Sequence, residues 1–516
     1  MNKLKFAQDR TYLTEWQIAV LLALALSAAI FVWQIPYGLN LWDEGFLWYG
    51  AQAVLRGEVP IRDFIAYDPF RYYWSSWFMT ALGSDGVIPV RYAAMVLQSV
   101  SVALGATLML GRASLSGWRW VMVLSYIVIA TLWMLRWYKG FDIFASVLLV
   151  FTTFHVLTHP SSARFFMAGV VVGGVAVLGR NHGLYGVVGF VIATVMTSFL
   201  ERKIISMNRV LLFAIGVVLG FSPQLFMLWL IPGYWAAFLD SVLSIIEMGA
   251  TNLPLPIPMP WDAFGGGGAL RQLKDLTVGL LFLGIGLFVA VPYVLRRFKI
   301  DLEERTRLVL IACASFSLPY AHYAYSRADL EHLSLGLYPF LIGISLLALN
   351  VRGKGRFAVG VIIILLLMIP SKFAILPWNI REFVAVNISG ERLWISPEVQ
   401  AEIQLIEKIN REFSSRENDI AFVPLWPGAY SVLRKISPIW EIYGVLPRND
   451  RFEEKEIALL RKNAPKAILV WNLSLDGREE LQYRHTHRAT YEYILKHYRD
   501  NRSFLEELPY EFFTSQ

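Results

Sequence analysis

Mostly apolar runs of about 20 residues recur along this chain, and most of its charge is crowded into the gaps between them. A run of that length is what the hydrocarbon core of a bilayer requires of a helix. Eleven segments qualify, at roughly 16–36, 88–110, 118–135, 141–158, 165–180, 183–200, 208–231, 275–295, 307–323, 332–350 and 357–376. Residues 165–200 are too long for one span, and Gly179-Arg180-Asn181-His182-Gly183 interrupts them with a tight polar hairpin. Only 17% of the 516 residues are charged and 56% are hydrophobic, whereas soluble domains carry about 25% charge. A soluble enzyme, a disordered chain and a fibre are excluded. The single cysteine, Cys313, excludes a disulfide framework and a cysteine-built zinc site.

Orientation follows from Lys and Arg in the short loops. With the N-terminus inside, the inner segments hold 17 of these residues and the short outer loops hold four: Arg136, Lys139, Arg180 and Arg327. The net charge of +7 is therefore a topology signal, and nucleic-acid binding is not expected. The first run is too long for a signal-peptide core, so it is expected to stay as an anchor. The expected architecture is a polytopic α-helical membrane protein of about eleven transmembrane helices. Residues 1–376 form the membrane domain, with a first outer loop at 37–87 carrying interfacial helices. Residues 377–516 form a small extracytoplasmic α/β domain. In that tail, Ser396-Pro397-Glu398 opens a helix to about Phe413. Short buried strands are expected at 420–424 and 467–471, with helices at 453–463 and 489–498 flanking the second.

The ionisable candidates fall at the outer ends of the spans. Asp43 and Glu44 follow the first span and open an amphipathic stretch, with Phe46, Tyr49, Gly50 and Ala53 at helical spacing and Gly57 as a stop. Two carboxylates there suit a helix N-terminus as well as they suit catalysis. The rest of that loop mixes Arg62, Asp63, Tyr67, Asp68, Arg71 and Tyr72 at the membrane edge, the composition of a wall facing a sugar. Asp142 starts the fourth span, where Arg136 and Lys139 are suited to a phosphate. Arg180 and His182 lie in the hairpin, and Arg327 and His332 lie in Ser326-Arg327-Ala328-Asp329-Leu330-Glu331-His332. Arg offers a rigid fork of donors to phosphate oxygens, although a solvated charged loop has the same composition. No phosphate-binding glycine loop, His-Glu-x-x-His or Asp-x-Asp occurs. His485 and His487, beside Arg484 and Arg488, are expected in a solvated turn rather than on a metal.

The acidic pair after span one, the helix behind it, Gly57-Glu58-Val59-Pro60-Ile61-Arg62-Asp63-Phe64 and Tyr67-Asp68-Pro69 resemble the GT-C glycosyltransferases, the superfamily of the protein O-mannosyltransferases and the aminoarabinose transferase of lipid A. Arg180-Asn181-His182-Gly183-Leu184, the Ser326–His332 loop and Pro424-Leu425-Trp426-Pro427-Gly428-Ala429-Tyr430 resemble bacterial members. The resemblance implies a sugar carried on polyprenyl phosphate, inverting transfer to a glycan, lipid or protein acceptor on the outer face of the plasma membrane, and Asp43 as base. By location only, Asp142 matches a second, assisting acid. Some relatives use a divalent cation and others do not, so a metal is left open. The competing classes are a polytopic transporter and another envelope-polysaccharide polymerase or ligase. Transporters place ionisable groups near the bilayer midplane, and here the acids lie at one rim.

Overall fold

A computed structural model describes residues 2–110, 117–135, 137–202, 206–249, 252–505 and 509–515. Among them, seven helices are long and apolar enough to cross a membrane, and two bent helix pairs, Met207–Gly220 with Ser222–Leu230 and Leu330–Gly336 with Tyr338–Leu349, raise the number to nine. Two shorter apolar helices, Gly117–Leu132 and Ser162–Leu178, complete the set. Each of the eleven expected segments coincides with one of these elements. The chain is a polytopic helical membrane protein with a small C-terminal sheet region.

The described residues fall into two compact units. The first comprises residues 1–34, 94–226 and 254–379. Its centre is the helix Glu304–Ser326, buried along most of its length from Thr306 to Ala324. It packs against Arg180–Glu201, Gly140–Thr158, Tyr338–Leu349 and Ala269–Leu287. Several buried polar groups here reach backbone carbonyls: Trp133 Nε1 donates to Leu366 O at 2.7 Å and the Tyr338 hydroxyl to Ala130 O at 2.6 Å. Lipid offers no competing partner, so such groups must be satisfied internally.

The closest helix pairing in this unit joins Ser162–Leu178 to Met207–Gly220. Both carry glycines four residues apart, Gly169/Gly173 and Gly216/Gly220. A Cβ on Gly169 would sit 2.0 Å from Phe213 O, and one on Gly216 would sit 2.2 Å from Phe166 O. Association inside lipid rests on close packing rather than on water exclusion, which is why small residues mark the seam.

The second unit comprises residues 35–93, 227–253 and 380–516. The helix Asp43–Leu55 stops at Gly57, whose φ is +90°, as the sequence predicts. Its expected amphipathic character is not realised: every residue from Glu44 to Ala53 is buried. The helices Phe70–Leu82 and Pro427–Leu433 cover it. Gly45 allows the second of these to approach, since a Cβ there would lie 2.4 Å from Gly428 N. In the tail, the strands Ile420–Val423 and Ala467–Val470 pair in parallel and are buried at every position, as unbroken apolar runs require. Glu511–Ser515 and then Tyr498–Asp500 extend the sheet antiparallel. The hairpin Val384–Ile388/Glu391–Ile395 turns through Ser389 and Gly390, both at positive φ. The expected tail helices form at Pro397–Phe413, Asp450–Asn463 and Arg488–His497. The first is capped by Ser396, whose side chain accepts from Val399 N.

Replacing Gly169 with Val forces side-chain carbon into the Phe213 carbonyl. The expected cost is about 1–3 kcal/mol, read as a lower thermal midpoint in detergent, while an equivalent change at Gly174, where a Cβ meets nothing within 4 Å, leaves the midpoint unchanged.

Candidate functional site

In the second unit the acidic pair divides its labour. Asn40 Oδ1 accepts from the amides of Trp42 and Asp43, each at 2.9 Å, and so sets the entry to the helix. Glu44 is taken by Arg91: Nε reaches Oε1 at 2.7 Å and Nη2 reaches Oε2 at 3.0 Å, and Asn40 N adds a third donor at 3.0 Å. Arg91, 3% exposed, also donates to the carbonyls of Ile35, of Tyr37 at 3.1 Å and of Gly38 at 2.6 Å. Glu44 is thus held in a structural clamp. Asp43 remains half-exposed at the first position of the helix, with the Tyr443 hydroxyl donating to its Oδ1 at 2.9 Å.

The loop residues expected as a wall separate into two groups. Arg62 and Asp63 neutralise each other through two bonds of 2.8 Å, and Asp63 also accepts from Val59 N at 2.7 Å. They lock their own turn. Tyr67, Arg71 and Tyr72 gather around Phe46: the Tyr67 ring meets Phe46 edge-on at 5.0 Å, Arg71 lies over Tyr67 at 5.1 Å, and the Tyr67 amide donates to the Tyr72 hydroxyl at 2.9 Å. Asp68 is buried beside them in sequence. A cavity of about 500 Å³ in this unit is lined by Met79, Ser84, Asp85, Gly390 and Arg434 among others, and by none of the candidate residues.

In the first unit a second cluster forms where three helices have their ends. Asp142 stands near the start of Gly140–Thr158, His182 near the start of Arg180–Glu201, and Tyr320 and Tyr323 near the end of Glu304–Ser326. His182 Nε2 lies 2.9 Å from Asp142 Oδ1, and His182 Nδ1 lies 3.0 Å from the Tyr320 hydroxyl. Tyr323 donates to Asp142 Oδ2 at 2.9 Å. A solvated helix start is not what is seen: Asp142 is 3% exposed and His182 is 1% exposed. Both ring nitrogens of His182 are engaged within the protein.

Beyond Tyr323, whose ring centroid lies 6.1 Å from that of His332, comes the loop Arg327–His332. Asp329 caps the helix Leu330–Gly336, accepting from His332 N at 2.8 Å and lying 2.8 Å from His332 Nδ1. Arg327 Nε donates to its other oxygen at 2.8 Å. Burial opposes the Asp329 charge, but the bond and charge of His332, with Arg327 behind, hold its carboxyl down at about 2. Lys139 and Arg180 are half-buried beside the starts of the Asp142 and His182 helices. Arg136 lies outside the described residues.

His487 overturns the expectation of a solvated turn. It is 2% exposed, with Nε2 2.8 Å from Glu441 Oε2 and Nδ1 2.9 Å from the Thr486 hydroxyl. Arg448 donates to the other Glu441 oxygen. Burial opposes the Glu441 charge, while His487 and Arg448 together hold the carboxyl below its usual range. For the neighbouring Glu456, burial and then the Glu441 charge outweigh its backbone hydrogen bonds and the Arg448 charge, and push it up to about 8. Among the described residues no three His, Cys, Asp or Glu side chains gather as a metal ion would need.

Tyr320, Tyr323, Tyr443 and Arg91 were not singled out from the sequence. A signal existed for Arg91, a lone charge within an otherwise apolar run, since such a residue must find a partner. None existed for Tyr443, 400 residues from Asp43.

No protein-family model matches the chain, and no curated protein is similar to it. Among solved structures, it superposes on the archaeal oligosaccharyltransferase AglB from Archaeoglobus fulgidus, in complex with an inhibitory peptide and a dolichol-phosphate, with a TM-score of 0.43 and 11% identity, covering 93% of this chain and 72% of that one. It also superposes on ArnT from Cupriavidus metallidurans, with a TM-score of 0.37 and 10% identity over 98% of both chains, and on the same protein bound to undecaprenyl phosphate with a TM-score of 0.36. The overlap at these scores is loose, and what this chain does has to be argued from its own residues.

Two outcomes test these clusters. Arg91→Met strands a buried carboxylate and the carbonyls Arg91 served, with an expected loss of about 3–5 kcal/mol in chemical denaturation. For Glu456, the folded tail keeps a proton between about pH 4.5 and 8 that the unfolded chain sheds. Tail stability therefore falls as pH rises through that window. Glu456→Gln removes the effect, so its thermal midpoint exceeds wild type at pH 8 and the gap closes toward pH 4.5.

Proposed function

We propose that this chain is a membrane glycosyltransferase of the GT-C type. It moves a sugar from a polyprenyl-phosphate donor to an envelope glycan, lipid or protein acceptor on the extracytoplasmic face of the plasma membrane, its N-terminus lying inside. The observation that carries the reading is Asp43: a half-exposed carboxylate fixed at a helix start and held by a tyrosine hydroxyl, while Arg91 removes its neighbour Glu44 from play.

In this reading the acceptor hydroxyl oxygen attacks the anomeric carbon and its proton passes to Asp43. The bond to phosphate breaks on the opposite side, so configuration inverts and polyprenyl phosphate leaves. A leaving group of this quality needs a positioned base and cations rather than a nucleotide pocket. Within the first unit, Arg327, Arg180 and Lys139 are the cations assigned to binding a lipid phosphate. Asp142 and His182, bonded to each other, are assigned to ordering the helix ends that carry Lys139 and Arg180. A divalent cation is not required by any of these assignments.

One observation favours a second reading. A buried carboxylate–imidazole pair inside spanning helices is also how transporters carry protons and ions. Purified protein in detergent, given labelled polyprenyl-phosphate hexoses and pentoses with candidate acceptors, decides between them. Transfer is expected, abolished by Asp43→Asn with insertion and thermal midpoint intact. Arg327→Ala is expected to raise the donor KM about tenfold, the loss of one charge-assisted contact. Ion-coupled uptake into proteoliposomes without any transfer would sink the enzyme reading.

A further inference from the structure

The contact between Tyr443 and Asp43 is built, not incidental. The Tyr443 ring stacks on Phe46 at 5.0 Å and 25°, and Phe46 stands three residues after Asp43. One helix face therefore presents both the carboxylate and the platform that seats the phenol. The tail segment bearing Tyr443 is fixed on either side. Glu441, 4% exposed, is held by Arg448 and His487. Ile442 is fully buried. The Gly444 amide donates to Pro424 O at 2.9 Å. Gly444 is closely packed, since a Cβ there would lie 3.2 Å from His487 Cε1 and 3.4 Å from Glu441 Cδ. His487 is in turn stacked on Tyr483 at 4.7 Å.

We propose that Tyr443 is a positioning residue for Asp43: of the tail's contacts with the acidic helix, the Tyr443 hydroxyl is the one that bonds the Asp43 Oδ1, and the Glu441–His487–Arg448 cluster is the rigid mount that aims it. This rests on the reading of Asp43 as the base. A hydroxyl donated to a carboxylate fixes its rotamer and stabilises its charged form, the form that accepts a proton. A loop that holds its phenol with buried ion pairs loses little freedom when the substrate binds.

The charged and titratable groups on the elements packed around Asp43 are Glu44 with Arg91, and Tyr49, on or against its own helix, then Tyr67, Asp68, Arg71, Tyr72 and Tyr73 from the adjoining loop and helix, Tyr430 from the helix Pro427–Leu433, and Glu441, Arg448, Glu456 and His487 from the tail. All persist in Tyr443→Phe, which keeps the ring and its stacking and removes only the hydroxyl. A shift in pH profile then reports that hydroxyl.

The test uses the full-length protein in detergent with the polyprenyl-phosphate sugar that supports its transfer. Tyr443→Phe is expected to lower kcat about tenfold, with donor KM and thermal midpoint unchanged, and to move the acidic limb of the kcat profile to higher pH. Incorporating 3-fluorotyrosine at 443 strengthens the donor and moves that limb to lower pH; it also decides the matter if Tyr443→Phe is unstable. Wild-type turnover and an unmoved limb in these proteins, alongside an inactive Asp43→Asn, overturn the positioning role and leave the base intact. An active Asp43→Asn removes the base assignment, and the positioning role with it.

Discussion

A bilayer gives backbone amides and carbonyls no partner, and nearly everything in this chain follows from that. Helices that satisfy themselves are the available solution, and the chain supplies eleven of suitable composition. Between such helices there is little hydrophobic gain, so close contact has to come from shape. The glycine pairs Gly169/Gly173 and Gly216/Gly220 provide it by letting backbones touch. Many polar side chains inside the bundle obey the same rule and end on a carbonyl or on another side chain, as Trp133, Tyr338 and His182 do.

That rule also explains where charge is found. Arg91 is tolerated in an apolar helix because Glu44 and three backbone carbonyls surround its guanidinium. Asp142 is tolerated because His182 and Tyr323 occupy both its oxygens. Of the two acids that open the Asp43 helix, Glu44 is clamped by Arg91, while Asp43 accepts a hydrogen bond from the Tyr443 hydroxyl. The two adjacent carboxylates thus sit in different surroundings, and a change at one should not be read as a change at the other.

Much of this was legible beforehand. The eleven apolar helical segments were, nine of them long enough to span counting the two bent pairs, because length and apolarity act locally. So were the Ser396 cap, the Gly57 stop and the two short buried strands, each a short-range preference. Tyr498–Asp500, Glu511–Ser515 and the 384–395 hairpin were not anticipated, being short and mixed in composition, and paired only by partners elsewhere in the chain. The Asp43 helix looked amphipathic because periodicity cannot foresee that Phe70–Leu82 and Pro427–Leu433 would cover its remaining face. His487 looked solvated because its flanking arginines are; its buried partner lies 46 residues away.

By itself, then, the amino-acid order determined that the chain crosses a membrane, roughly where, and which acids and bases it brings to the ends of its spans. Those properties depend on composition and on neighbours a few residues apart. Only the tertiary structure decided what each ionisable group does: that Glu44 belongs to Arg91, that His182 belongs to Asp142, and that Asp43 answers to a tyrosine 400 positions later. A hydrogen bond is set by distances of about 3 Å, and separation along the chain says nothing about such distances until the chain has folded.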